Sequence, residues 1–428
     1  MQKILLFIAS LFYFNSLFAK NEIKSWQGIH ETPLSRLEQQ FADPPVEFAN
    51  HVIWGWEGKM DKKTICNDLD SIKKKGFRAV IFEAGYKLPF KYLSEEWFKA
   101  IRTGVLEAKK RGMKVWIIDE GKYPSGFAGG KFSQERPDLR MQALVIGDTI
   151  QVKRGEVMTN HKIAPEIISA VAVSTSGAPN RTVAINNGEI SFNAGLDDWK
   201  ILLVKSDFRT AVTRAVNNPN GGKDATNSLC DYLNPIAVQQ FIDWTHEQYK
   251  KYLGKELGTT VLGFRGDEPD YAHLPWTPSI VQTFKDTKGY DPTPYLASFF
   301  TTSPTIQEQR VKADYWDVWS SLFATHFFKL QADWCAANGV AHITHLNKEH
   351  EMPACVKAEG DYFRNLSKVQ IPGVDAIWNQ IWPGILNDFP KLASSVAHVY
   401  GKPRAFSESF AAYHISPTIP QAKFVVDH

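Results

Sequence analysis

The chain has 428 residues, with 49 Lys and Arg against 46 Asp and Glu, and a formal net charge of +3. Hydrophobic residues make up 43% and charged ones 22%, which excludes a wholly disordered chain. The charges nearly balance and no basic run of five or more occurs, so bulk electrostatic binding to nucleic acid is excluded as a first reading. The length suits one large domain or two to three ordinary ones.

The first residues read as a secretory signal over 1–19. Lys3 supplies the positive start, Ile4 to Phe14 the apolar stretch, and Leu17-Phe18-Ala19 a cleavage site ending in a small residue. Asn15 and Ser16 interrupt the run well short of a bilayer span, and no Cys lies near the cut. The expectation is export to the periplasm or beyond, without a stable membrane anchor. Cys66, Cys230, Cys335 and Cys355 form no CxxC pair; buried thiols are the simpler reading.

Residues 20–50 read as an entry arm ending in Asp43-Pro44-Pro45. A β/α rhythm follows. HVIWGW (51–56) is an apolar strand, and 61–76 has helical spacing with Ile65, Leu69 and Ile72 on one stripe. Residues 77–83 form a second strand, 95–112 an amphipathic helix, and 114–119 a third strand. This alternation implies parallel strands with right-handed crossovers. The rhythm stops at about 142–207, where short alternating runs predict an antiparallel β insertion, with a loop to 227. It resumes with a helix at 234–254 and strands at 261–269, 341–347, 373–378 and 404–410. Long helical spacing covers 306–338, a helix covers 388–401, and another begins at Pro420. Together 51–428 read as a (β/α)8 TIM-type barrel lacking its eighth strand, with a small β insertion after strand three. No Gly-rich phosphate or dinucleotide loop follows any strand; GFAGG at 126–130 lacks the required spacing.

In such a barrel chemistry sits at the C-terminal ends of the strands. Acids collect there: Glu57, Glu83, Asp119-Glu120, Asp267-Glu268, Glu349, Glu351 and Glu408. This ring implies a sugar site, a cation site, or both. Cleavage of a glycosidic bond needs one carboxyl to protonate the leaving oxygen and a second to act as base or nucleophile. Strands four and seven lie nearly opposite in an eight-stranded ring, so Glu268 and Glu408 are the catalytic candidates. Alternation along a strand predicts that only one of Asp267 and Glu268 faces the mouth. The competing reading of Glu268 is a salt bridge with Arg265, and of Glu408 a cap of the next helix. His342 and His345 fall on opposite faces of a strand, so they do not form a HExxH-type zinc site; His345, with Asn347 and Glu349 on the same face, is read as contacting substrate, or as a hydrogen-bonded core histidine. Trp54, Trp56, Tyr123, Trp276, Trp378 and Trp382 fall at or just after strand ends, where rings could stack on sugars as well as pack. A hard cation such as Ca2+ suits this mouth better than Zn2+.

Three segments, FADPPVEFANHVIWGWEG (41–58), ICNDLDSIKKKGFRAVIFEAG (65–85) and KVWIIDEGKYPSGFAGG (114–130), resemble glycoside hydrolase family 106, the α-L-rhamnosidases. Asp119-Glu120 followed by Pro124-Ser125-Gly126 is the most specific part, with Tyr123 where the family tends to show Trp. GFRGDEPDY (263–271), EGDYFR (359–364), IPGVDAIWNQIWPG (371–384) and AFSESF (405–410) resemble a related glycosidase branch. The resemblance implies inverting, calcium-assisted hydrolysis of α-L-rhamnosides in plant-type glycans, with Glu268 as general acid and Glu408 as general base. Inversion implies carboxyls roughly 6.5–9.5 Å apart, against about 5–5.5 Å for retention. Position at or near the strand ends makes Trp54, Trp56, Glu83, Asp119, Glu120, Tyr123, Asp267, His345, Asn347 and Trp378 the candidate substrate contacts, and acids near Glu120, Glu349, Glu351 and Glu359 the candidates for the calcium that the resemblance implies.

The alternatives are an exo-glycosidase for another sugar and a non-catalytic carbohydrate-binding barrel. The second gains weight from length, because relatives extend well beyond this chain. A missing eighth strand would leave strands one and seven with unpaired edges, so low solubility is the expectation for the chain alone.

Overall fold

The structure is a computed structural model and describes residues 33–48, 50–121, 123–210, 228–271, 274–378, 380–413 and 417–428. The stretch 1–19 read as a signal, the start of the entry arm and the turn at 217–222 lie outside the described residues.

Strands β1 (His51–Trp56), β2 (Ala79–Ala84) and β3 (Lys114–Ile118) come first. Next come β4 (Gln142–Val152), β5 (Val157–Lys162), β6 (Ile167–Ser174), β7 (Arg181–Thr182), β8 (Ile185–Asn186), β9 (Glu189–Asn193) and β10 (Trp199–Phe208). Then follow β11 (Val261–Asp267), β12 (Pro275–Trp276), β13 (Ala341–His345), β14 (Ile371–Ala376) and β15 (Phe406–Ser409). Seven of these form one sheet in the order β1-β2-β3-β11-β13-β14-β15, and every neighbouring pair is parallel. The fold is therefore α/β, with strands adjacent in chain order as the rhythm predicts.

The helices start where short polar side chains can cap them. Asp61 accepts from the Thr64 N–H at 2.9 Å before helix Lys62–Lys74, and Ser94 accepts from the Trp97 N–H at 3.3 Å before helix Glu95–Lys110. Lys73, Lys74, Lys109 and Lys110 lie in the last turns, where the helix dipole favours cations. Alternation then divides each strand between two cores. Trp56, Val80, Phe82, Val115, Ile117 and Phe264 face the helices. Ile81, Trp116, Ile118, Leu262, Ala341, Ile343 and Ile371 cluster on the other face with Phe406. One apolar cluster can collect residues from β2 through β15 only if the sheet curls. A cavity of about 110 Å3 at its lower end is lined by His51 of β1 and Phe406 of β15 together. Among the described residues β1 and β15 remain the sheet edges.

Gly263 lies at a close approach. It sits on β11 between β3 and β13, beside a register shift. A Cβ there would fall 1.9 Å from the Ala341 carbonyl oxygen and 2.7 Å from the Trp116 ring. Gly263→Ala should therefore destabilise the chain by about 1–3 kcal/mol or more, read as a lowered thermal midpoint.

The segment after β3 forms a five-stranded antiparallel sheet, β12-β4-β10-β6-β7, and a three-stranded one, β5-β9-β8. They share a core of Val152, Ala170, Phe192, Trp199 and Ile201. Trp276 belongs here: it pairs with Gln142 of β4 and is buried, so it does not end a strand of the parallel sheet. All four cysteines are free; Cys230, Cys335 and Cys355 are buried, while Cys66 is only half-buried. No helix among the described residues is long and apolar enough to cross a membrane.

Candidate active site

Parallel register assembles the mouth. Asp267 at the end of β11 is the partner of His345 at the end of β13, and Asp375 of β14 is the partner of Glu408 of β15. Arg265, two residues before Asp267, shares its face and is 2% exposed. Its Nη2 donates to Glu408 Oε2 in a short contact and lies 3.5 Å from Asp267 Oδ1. His345 Nε2 lies 3.4 Å from Asp267 Oδ1 and 3.9 Å from Glu408 Oε2. Its Nδ1 is 3.4 Å from Arg265 Nη2.

Strand alternation predicts that Asp267 and Glu268 diverge. They do not. The strand ends at Asp267, and Glu268 takes a left-handed backbone with φ +40°. That reversal brings both side chains to the mouth: Glu268, His345 and Asp375 offer donor atoms within 4.8 Å of one another, as do Asp267, His345 and Glu408. The salt bridge considered for Glu268 goes elsewhere, since Arg265 pairs with Glu408 and Asp267. Nor does Glu408 cap a helix; the following one, Ile419–Asp427, is capped by Thr418.

The two catalytic candidates sit in opposite electrostatic settings. Burial, then the charges of Asp267, Asp375, Glu349 and Glu408, push the Glu268 carboxyl up to about 9. Burial, then Glu408 and Asp267, push Asp375 up to about 8, and Asp375 hydrogen-bonds Glu268. These two form a carboxylic pair that holds a proton near neutrality. Glu408 instead forms an ion pair with Arg265. Burial opposes charge on Arg265, but Asp267, Glu408 and Glu83 outweigh it and raise its pKa further. Burial, with the Arg265 charge, lowers the pKa of His345, so its ring is neutral.

The other sequence-derived residues fall in several places. Glu83 is half-buried on β2 and close enough to act on Arg265. Asp119 is buried and accepts from Ser125 Oγ at 2.7 Å. Glu120, 1% exposed, accepts from the backbone N–H groups of Gly121 at 2.7 Å and Gly129 at 3.0 Å, and from that of Ala128. It therefore ties down the loop after β3. Tyr123 is half-buried in that loop. Trp54 and Trp56 turn away from the mouth and pack against Phe82 on the helix-facing side. The Asn347 N–H donates to Glu359 Oε1 at 2.6 Å. Trp378, with φ +57°, is 65% exposed and lies two residues past β14. Glu57 and Glu351 are exposed.

Asp375 is a residue of the mouth that the sequence analysis does not single out, and Arg265, considered there only as a partner of Glu268, pairs with Glu408 and Asp267 instead. A signal existed for each. Arg265 is a charge inside an otherwise apolar strand, at the spacing that aligns it with Asp267, and Asp375 interrupts an apolar run on β14.

The calcium candidates divide. Glu349 is buried and accepts from the N–H groups of Leu346 at 3.0 Å and Asp375 at 3.2 Å. Glu359 is buried, and among the described residues its Oε2 has no hydrogen-bond partner; neither has Asp270 Oδ1. Burial raises the pKa of all three carboxyls. Oxygen donors with unpartnered buried atoms suit a hard cation in chemistry, and the charges of Asp270 and Glu349 reach Glu359. Exposed Glu351 does not share that setting.

A sequence model of the glycoside hydrolase 106 family, described as alpha-L-rhamnosidase, matches residues 181–422. The match covers β7 to β15, whereas the motifs that resemble the family most strongly lie over 41–140. A Formosa agariphila protein named "Putative beta-glucuronidase" is 24% identical over 466 residues, covering 96% of this chain and 37% of its own length. The solved structure of a rhamnosidase from Novosphingobium sp. PP1Y superposes with a TM-score of 0.65 at 16% identity, over 89% of this chain and 53% of that one. The chain thus spans between about a third and a half of these relatives.

Proposed function

The chain belongs to glycoside hydrolase family 106, and on that premise we propose that it is an exported (β/α)-barrel hydrolase that removes terminal α-L-rhamnosyl residues from plant-type glycans with inversion. The observation that carries this reading is the opposite setting of two carboxyls around His345. One is pushed up to about 9 and keeps its proton; the other is ion-paired to a buried guanidinium. Glu268 donates its proton to the glycosidic oxygen as the bond from C1 breaks. Glu408 takes a proton from the water that attacks C1. Arg265 and His345 both approach Oε2 of Glu408, so Oε1 is the atom proposed to hold that water. Trp378 is proposed as a platform for the sugar face, and Asp267 and Asn347 as hydrogen-bonding groups. A bound Ca2+ would be held by Glu349 and Glu359 and would supply positive charge to sugar hydroxyls.

The glucuronidase name of the Formosa relative supports a second reading. Physically it is the weaker one: the mouth gathers Asp267, Glu268, Glu349, Asp375 and Glu408, and the guanidinium among them is already bonded to Glu408. A uronate carboxylate would meet repulsion that neutral rhamnose does not.

The test is hydrolysis of aryl α-L-rhamnoside and aryl β-D-glucuronide by wild type, Glu268→Gln and Glu408→Gln, with the first-formed anomer followed by NMR. Rhamnoside cleavage with inversion, lost in both variants, is expected. Glucuronide cleavage alone would refute the specificity. Sugar binding without product would favour the non-catalytic barrel.

The pH profile should be bell-shaped. Its alkaline limb follows loss of the Glu268 proton, so kcat/KM falls as pH rises through the range of the Glu268–Asp375 pair. The Asp375 carboxylate raises Glu268. Asp375→Asn should therefore move the alkaline limb to lower pH, as measured by kcat/KM against pH.

A further inference from the structure

His342 and His345 leave β13 on opposite faces. His345 enters the mouth, while His342 points back between the sheet and its helices. There it meets His246, first residue of helix His246–Leu253, and Cys335 of helix Lys329–Ala337. One donor atom from each lies within 4.8 Å of the other two. His246 and Cys335 are 0% exposed and His342 is 1% exposed.

Their polar atoms are poorly satisfied. Among the described residues neither ring nitrogen of His342 has a hydrogen-bond partner, and nor has Nε2 of His246. An imidazole keeps one N–H in either neutral tautomer, and an unpaired buried donor is unfavourable. The Phe264 and Trp334 rings, with centroids 4.2 Å and 5.2 Å from that of His246, wall the group from solvent. His246 Nδ1 faces the Thr245 hydroxyl at 2.9 Å. Because that hydroxyl donates to the Phe241 carbonyl, it accepts from Nδ1–H, which orients the ring and leaves the Nε2 lone pair free, as partners behind metal-binding histidines do.

We propose that His246, Cys335 and His342 form a buried structural site for one thiophilic transition ion, Zn2+ or Cu+. Two imidazole nitrogens and one sulfur match the preferences of these ions and not those of an oxygen-seeking cation. On binding, the S–H bond of Cys335 breaks, a metal–sulfur bond forms, and the proton passes to solvent. The ion would join β13 to both helices directly behind the strand segment that carries His345. This site is separate from the acid mouth and does not depend on the proposed activity.

The test grows cells in medium supplemented with ZnCl2 or CuSO4, purifies the full chain through EDTA dialysis and measures metal by mass spectrometry. About one ion per chain is expected in the wild type, and a loss of tenfold or more in Cys335→Ala and His342→Gln. X-ray absorption on the wild type should show one sulfur and two nitrogen neighbours, which keeps the proposal testable if either variant fails to fold. No stoichiometric ion from either medium, a sulfur-free shell, or an ion kept in Cys335→Ala but lost in His345→Ala would each overturn it.

Discussion

Replacing Glu268 with Gln should lower hydrolysis of an unactivated α-L-rhamnoside by about 10²–10⁴-fold, the usual contribution of a general acid. The amide keeps the shape and the contact with Asp375 but has no proton to give at the moment the glycosidic bond breaks. A substrate with a good leaving group, such as a dinitrophenyl rhamnoside, needs that proton less and should lose much less rate. The ratio between the two substrates is the discriminating measurement. If Glu268 merely shaped the pocket, both would fall together. Burial and four surrounding carboxylates hold Glu268 protonated well above the usual carboxylate range. Equal loss on both substrates would move the acid to another group, with Asp375 next in line.

The second large effect is expected at Arg265. Its guanidinium is buried among Asp267, Glu408 and Glu83. Arg265→Met removes the cation and leaves those acids facing one another. Breaking a buried pair from one side typically destabilises by about 3–5 kcal/mol. The thermal midpoint of the variant should fall well below that of wild type at pH 8. A second change, Glu408→Gln in the Arg265→Met background, should recover part of the lost stability and none of the activity. A variant as stable as wild type at pH 8 would mean that the acids at the mouth are neutralised by something else, such as a bound cation.

Much of this architecture was legible in the chain. HVIWGW predicted β1 to the residue, because a short apolar run bounded by polar segments has few other uses. Ile65 and Leu69, on the helical stripe of 61–76, are both buried. Glu268 and Glu408 were legible as strand-end acids, since position along a strand is a local property. The Glu268–Asp375 contact was not, because nothing local signals φ +40° at a Glu before Pro269. Trp54 and Trp56 misled, because lying near a strand end does not say which side of the sheet a ring occupies. Odd and even positions differ only once the sheet has curled and one face has been covered by helices.

Local patterning, in the end, sets which segments are strands and helices, the parallel β/α sequence and the family. It also puts acids at one end of the sheet. Which acid holds a proton and which is neutralised depends on neighbours from β11, β13, β14 and β15, which lie more than a hundred residues apart in places. Register placed Asp375 beside Glu408 and Asp267 beside His345, and burial then raised Glu268 while Arg265 claimed Glu408. Desolvation and charge act across a few ångströms of space, and no spacing along the chain encodes those distances.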